Sequence, residues 1–160
     1  MALSRIFQVS LIIGVSFCLF LIESLIKYYL ILNKVPLEGL YFFAGWLQIA
    51  YFTNSNMAFG IPLPTNLIIF QVVIVLGLLV IFWRHYFLKQ NFIALFAISL
   101  LMVGAFSNLL DRLLFGYVID YINVFIWPVF NLADCLIVLG ILIYLFSDIK
   151  LFKRTAKLNK

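Results

Sequence analysis

Charge is scarce in this chain. Only 11% of its 160 residues are Asp, Glu, Lys or Arg, and only six are acidic. Histidine occurs once, at His85, and cysteine twice, at Cys18 and Cys135. The lone histidine sits between Arg84 and Tyr86, far along the chain from most of the acids. That excludes Ser-His and Cys-His nucleophile systems and any histidine-based metal site. The cysteines have neither metal-ligand spacing nor an obvious bridging partner, so they read as small packing residues. Glycine-rich phosphate loops, internal repeats and low-complexity tracts are also missing. Neither a cofactor nor a metal is expected.

What the chain does have is apolar surface. It is 66% hydrophobic, whereas a soluble domain is about 45–50% apolar and about 25% charged. One core of this size cannot bury so much, so the bilayer must solvate most of it. Four apolar stretches, 6–32, 66–83, 92–110 and 129–146, approach the roughly 17–25 residues of a spanning helix. The predicted fold class is therefore an all-α membrane protein of four transmembrane helices, forming a single domain over 1–160. Residues 40–52 are apolar but too short to span, and predict a small extracytoplasmic region of short strands or re-entrant chain. The first stretch follows Arg5 as a signal peptide would. However, the apolar run is too long and lacks a small-residue cleavage site, so an uncleaved helix is expected.

The cations orient the bundle. Arg5, Arg84, Lys89, Lys150, Lys153, Arg154, Lys157 and Lys160 flank the termini and the 84–91 connection. Lys27, Lys34 and Arg112 fall on the other side. By the positive-inside rule both termini are cytoplasmic, including a basic tail over 150–160, and connections 33–65 and 111–128 face outward. Tyr28, Tyr29, Trp46, Tyr51, Tyr117, Tyr121 and Trp127 outside, with Trp83 and Tyr86 inside, suit interfacial anchoring. The net charge of +5 follows from this topology and calls for no nucleic-acid partner.

Against this background the acids stand out. Three of the six lie in Asn108-Leu-Leu-Asp111-Arg112, Gly116-Tyr-Val-Ile-Asp120-Tyr and Phe130-Asn131-Leu-Ala-Asp134. An ionised side chain at membrane depth costs about 2.5–3.5 kcal/mol on insertion scales, so such residues are rare without a task. Asn108, Asp111 and Arg112 stand at i, i+3 and i+4 and share a helical face. Gly116 is a plausible helix terminator. Asp120 lies in an alternating segment, 117–122. A fourth helix starting near Pro128 would place Asn131 and Asp134 on one face of its first turns. Short connections make the third and fourth helices neighbours, so Asp120 and Asp134 can approach each other. Two close carboxylates do not both ionise easily, which suits acid–base hydrolysis.

Other readings stay open from these residues alone. Acids near helix ends often form interfacial ion pairs or complement a helix dipole. Membrane carboxylates also serve proton or ion pathways. Asp111 and Arg112 point about 100° apart, so Asp111 is expected to accept hydrogen bonds from a loop or another helix end. Arg112 is expected to reach Asp120, Asp134 or a neighbouring carbonyl. Glu23 and Lys27 form an acid-first i,i+4 pair near the outer end of the first helix, from which Lys27 can snorkel toward a lipid headgroup. The 33–65 connection, with Trp46, Tyr51 and Phe52 beneath and Asn54 and Asn56 as amide donors, is expected to clamp an extended peptide.

In this order the motifs resemble bacterial lipoprotein signal peptidase, or signal peptidase II. Glu23-Ser-Leu-Ile-Lys27 and Asn54-Ser-Asn-Met-Ala58-Phe59-Gly60 agree in order with earlier motifs of that family, so the likeness covers nearly the whole chain. The resemblance implies a membrane aspartic endopeptidase of the bacterial inner membrane with its site facing outward. Its substrate would be a diacylglyceryl-modified prolipoprotein, cut just before the lipid-bearing cysteine; membrane lipid would be the other partner, and a monomer is expected. Asp120 and Asp134 then match the catalytic pair, while Asn54, Asn108, Asp111, Arg112 and Asn131 match polar positions that support the site or hold substrate. Glu23 and Lys27 join them through the first motif. Glu23 stands where the family usually has Asp. Asn56 and Met57 replace its Gly and Ala, Ser107 a Gly, Tyr121 a Phe, and Cys135 a Ser. The alternative is a non-catalytic membrane protein, either a lipoprotein-binding relative or a proton or ion pathway.

Overall fold

The structure, a computed structural model, describes residues 2–33, 39–57 and 60–158, with side chains described between Ser4 and Ser147. Lys34, Ala58, Phe59 and Lys160 lie outside the described residues, as do the side chains of Lys150, Lys153, Arg154 and Lys157. Four helices are present among the described residues: α1 (Ala2–Leu32), α2 (Thr65–Lys89), α3 (Phe92–Phe115) and α4 (Leu132–Leu158). Three strands accompany them: β1 (Leu40–Phe42), β2 (Leu47–Asn54) and β3 (Val118–Val124).

Three helices, over Ser4–Leu32, Thr65–Lys89 and Phe92–Phe115, are long and apolar enough to cross a membrane by length and composition. In α4 the apolar part, Leu132–Ser147, is shorter. Large apolar side chains such as Phe7 and Ile81 point outward, more than 60% exposed, as they would toward lipid. α3 is the central helix and packs against α1, α2 and α4. Lipid tails are as apolar as leucine, so association between such helices relies on close packing of small residues and on polar contacts. Gly104 on α3 illustrates this: a Cβ there would run into the carbonyl oxygen of Ala133 on α4.

Local chemistry sets the ends of the helices. Asn91 precedes α3 and accepts from the Ala94 amide through its side chain at 3.2 Å, satisfying one of the first-turn donors that lack an intrahelical partner. Gly116 ends α3 at φ +83°, a left-handed conformation that suits glycine, which is the terminator role expected of it.

Several boundaries differ from the sequence expectation. α2 continues six residues beyond Trp83 to Lys89, because charge at a helix end does not by itself break the backbone ladder. The expected 84–91 connection shrinks to Gln90 and Asn91, with Gln90 left-handed at φ +56°. Asp111 and Arg112 belong to α3 itself, not to the connection after it. Pro128 does not open the fourth helix: Phe130 first forms a bridge with Ile122, and α4 starts at Leu132.

The expected β-like region is an antiparallel sheet in the order β1-β2-β3. β2 pairs with β3 from Leu47↔Val124 to Asn54↔Val118, with an irregularity between Ile49 and Phe52. That register sets Phe52 opposite Asp120. In β3, Val118, Ile119, Asp120 and Tyr121 are all buried, so the strand carries a polar pair into the interior between sheet and helices.

Candidate active site

Asn131 occupies the junction where β3, α3 and α4 meet. It is fully buried and its side-chain amide nitrogen lies 2.8 Å from Asp120 Oδ1, 3.0 Å from Asn108 Oδ1 and 3.2 Å from the Ile119 carbonyl. Two amide hydrogens shared among three acceptors require at least one shared bond, so the group is held from every side. Its Oδ1 accepts from the Asp134 amide at 2.9 Å, while its own backbone amide donates to Asp134 Oδ2 at 3.3 Å. This is a reciprocal capping box with Asp134 at the third helical position. The three-residue spacing of Asn131 and Asp134 thus builds the start of α4 and aims Asp134 at the same time.

The two carboxylates are each held by amide donors. Asp120 accepts from Asn131 on Oδ1 and from Asn54 Nδ2 on Oδ2 at 3.0 Å. Asp134 accepts from Asn108 Nδ2 on Oδ1 at 2.8 Å. Burial pushes the Asp120 carboxyl up to about 7. The neighbouring charge of Asp134 adds to the rise, against the hydrogen bonds of Asn54 and Asn131 and the charge of Lys27.

Asn54 and Arg112 fasten the segment after β2. Asn54 Oδ1 accepts from the Asn56 amide at 3.0 Å, a local side-chain turn that leaves its Nδ2 aimed at Asp120. One hydrogen of the Asn54 amide is thus given to a carboxylate, and the second is left for another acceptor. Arg112 donates to the Asn108 carbonyl at 3.3 Å and to the Asn56 carbonyl at 3.1 Å. Of its three expected targets, the one it hydrogen-bonds is a neighbouring carbonyl. Nearby, the hydroxyls of Tyr51 and Tyr117 lie 3.1 Å apart, and burial and this bond push Tyr51 up to about 12.

A second polar group lies behind the first. Lys27 pairs with Glu23 Oε1 at 2.9 Å, as its i,i+4 spacing predicted. It also pairs with Asp111 Oδ2 at 2.8 Å and donates to Ser107 Oγ and Asn108 Oδ1 at 3.2 and 3.4 Å. Lys27 is only 4% exposed, so it does not snorkel toward a headgroup: two inward carboxylates outbid the interface. Asp111 accepts from the Ile119 backbone amide at 3.1 Å, so its partner is strand β3 rather than the loop or helix end expected. Tyr121 donates to Glu23 Oε2 at 2.6 Å and accepts from the Leu132 amide at 3.1 Å. Burial and the charge of Glu23 raise the Tyr121 hydroxyl far above its ordinary range, so it stays a donor.

All nine candidate residues, Glu23, Lys27, Asn54, Asn108, Asp111, Arg112, Asn131, Asp120 and Asp134, therefore belong to one connected set. Ser107 and Tyr121 join the same set. Ser107 stood out in the sequence only as a departure from the family pattern, and Tyr121, expected as an outer interfacial anchor, is instead 4% exposed with its hydroxyl turned inward to Glu23. Cys18 and Cys135 are both exposed, contrary to the expected packing role. Cys135, Asp134, Trp127 and Phe130 line an apolar cleft of about 410 Å³ beside the carboxylates. Among the described residues no three His, Cys, Asp or Glu side chains converge as a metal site would require. His85 stacks edge-on against Tyr86 at the opposite end of α3 from the acids.

Comparison with known proteins identifies the family. The family model of signal peptidase (SPase) II matches residues 15–150. The chain is 34% identical to a lipoprotein signal peptidase of Moorella thermoacetica over 76% of this chain and 81% of that one. It is 35% identical to that of Syntrophomonas wolfei over 85% of this chain and 93% of its relative. A bacterial membrane enzyme structure at 2.3 Å resolution is similar with a TM-score of 0.76 at 26% identity, covering 88% of each chain. A second, at 1.9 Å, has a TM-score of 0.72, also at 26% identity, and covers 86% of this chain and 92% of the other. A set of buried carboxylates and amides at a helix–sheet junction, in a chain matched over most of its length, fits one assignment: the protein belongs to the signal peptidase II family.

Proposed function

We propose that the protein is an aspartic endopeptidase that removes the signal peptide of diacylglyceryl-modified prolipoproteins, with Asp120 and Asp134 as its catalytic pair. The observation that supports this most is the position of Asn131, whose side chain bonds Asp120 Oδ1 and the backbone amide of Asp134 together. Asp120, raised to about 7, keeps a proton well above the ordinary carboxylate range and serves as the acid. Asp134 accepts a proton from water as that water attacks the scissile carbonyl carbon. Asp120 protonates the carbonyl oxygen. As the tetrahedral intermediate collapses the C–N bond breaks, the departing nitrogen takes the proton from Asp134, and Asp120 takes one back from a hydroxyl of the intermediate, so each acid returns to its starting state.

In this reading all four helices span the inner membrane, with both termini cytoplasmic and the carboxylates near the outer surface, in keeping with the uneven placement of Lys and Arg. Glu23, Lys27, Asn108 and Asp111 hold the scaffold. Asn54, Arg112 and Asn131 orient the acids and the chain around them. The protein acts as a monomer.

A cleavage assay with a lipidated prolipoprotein in mixed micelles tests the proposal. Wild type should release one peptide, and Asp120→Asn and Asp134→Asn should each abolish release while staying folded. The double variant should be little worse than either single one, because the pair acts as a unit. Substantial turnover in either single variant would remove that residue from the pair. Absence of product from folded wild type would favour a non-catalytic relative.

A further inference from the structure

Tyr121 ties its own strand to two helices through one oxygen. On β3 it is the residue after Asp120 and is 4% exposed. Its hydroxyl donates to Glu23 Oε2 on α1 at 2.6 Å, and the Leu132 amide at the start of α4 donates to it at 3.1 Å. The direction of both bonds follows from geometry: a backbone amide can only donate, so the single hydroxyl hydrogen must go to Glu23. A distance of 2.6 Å is in the range of charge-assisted O–H···O⁻ bonds, and the Lys27 ammonium lies 2.9 Å from the other oxygen of the same carboxylate.

The Leu132 amide is one of the first-turn donors of α4 that have no partner within the helix. Asn131 covers the amide of Asp134, and Tyr121 covers that of Leu132. The backbone of β3 is tied to the same junction, since the amides of Tyr121 and Ile122 both donate to the Phe130 carbonyl, at 3.1 and 2.8 Å. The hydroxyl therefore clamps the strand that bears Asp120 to the helix turn that bears Asp134, and Glu23 braces the clamp from α1.

We infer that Tyr121 is a positioning residue for the proposed hydrolysis, and that Glu23 acts through it to set the relative placement of Asp120 and Asp134. This rests on the reading of those two acids as the catalytic pair. Ionisable groups around the hydroxyl are Glu23 and Lys27 on α1, Asp111 on α3, Asp120 on β3, and Asp134 and Cys135 on α4. Glu23 is the one it bonds. Loosening the clamp admits water to Asp120 and separates it from Asp134, and both changes lower the pH at which it ionises.

The test compares wild type, Tyr121→Phe, Glu23→Asp, the double variant and Asp120→Asn on a diacylglyceryl-modified prolipoprotein peptide in mixed micelles. Glu23→Asp keeps a charge for Lys27 but is one methylene too short for the hydroxyl. Each single variant should lower kcat about tenfold with KM within twofold, and move the alkaline limb of the kcat profile to lower pH. The double variant should also lose about tenfold, not a hundredfold, because both changes break the same bond. Wild-type kcat and pH profile in Tyr121→Phe would overturn the inference. So would multiplicative losses in the double variant, or a drop in kcat that merely follows a drop in melting temperature with the pH profile unmoved. Cleavage by Asp120→Asn, or none by wild type, would instead overturn the catalytic reading and this inference with it.

Discussion

The ammonium of Lys27 on α1 lies 2.8 Å from Oδ2 of Asp111 on α3, and both groups are buried. This ion pair joins the first helix to the central one at the level of the acids. Removing one partner of a buried pair leaves a charge stranded, which costs about 3–5 kcal/mol. Lys27→Ala would strand two carboxylates, so it should lower the melting temperature in detergent more than any exposed lysine change. Asp111→Asn should also lower it, yet retain measurable cleavage in lipid. If Asp111→Asn were well folded and as inactive as Asp134→Asn, the catalytic pair would have to be redrawn.

The elevated Asp120 carboxyl makes stability depend on pH and, on the proposed mechanism, rate as well. Its pKa is raised from 3.8 to about 7, so the folded protein binds more protons than the unfolded chain between those values. This contribution to stability is complete below about 4 and is lost as pH rises through about 7. Asp120→Asn removes the dependence, so its melting temperature should gain on wild type as pH goes from 5 to 8. Wild-type kcat should fall on the alkaline side, with an apparent value belonging to the pair. A wild-type stability that rose relative to Asp120→Asn over that interval would contradict the assignment.

Arg112 spans two carbonyls with its planar fork, those of Asn108 and Asn56. A lysine offers a point charge and cannot reproduce that geometry. Arg112→Lys should keep the fold and lose about tenfold in rate, because the 54–57 segment that presents Asn54 to Asp120 is released. Full activity in Arg112→Lys would mean that the fork is dispensable.

Close approach of α3 and α4 at Gly104 is needed to bring Asn108 to Asp134. Gly104→Ala would press a methyl group on the Ala133 carbonyl and on the Ile137 side chain, 2.7 Å away. Overpacking of this kind costs about 1–3 kcal/mol. The variant should melt earlier and lose rate together, whereas Gly77→Ala, with open space at the Cβ position, should do neither.

Orientation in the membrane can be read by thiol labelling. Cys18 and Cys135 are both exposed and must first be replaced by serine. Cysteine introduced at Tyr117 should then react with an impermeant reagent from outside, and cysteine at Lys89 should not. The reverse pattern would put the acids in the cytoplasm and exclude cleavage of exported substrates.

The sequence by itself determined the solvent of this protein and the identity of its acids. Composition requires a bilayer, and the shared helical face of Asn108 and Asp111 follows from spacing alone, whereas Asn131, expected on the first turns of the fourth helix, instead precedes and caps it. Gly116 as a terminator was legible for the same reason, because such signals act within about one turn of helix. The tertiary structure decided what these residues bind. Lys27 reaches Ser107 across 80 positions and Tyr121 reaches Glu23 across 98, separations on which no local periodicity bears. From the sequence Lys27 could point to lipid as readily as inward. Burial removed that freedom. Once the helices close around them, polar groups cut off from water must find partners within the fold, and the nearest are carboxylates and amides from distant parts of the chain.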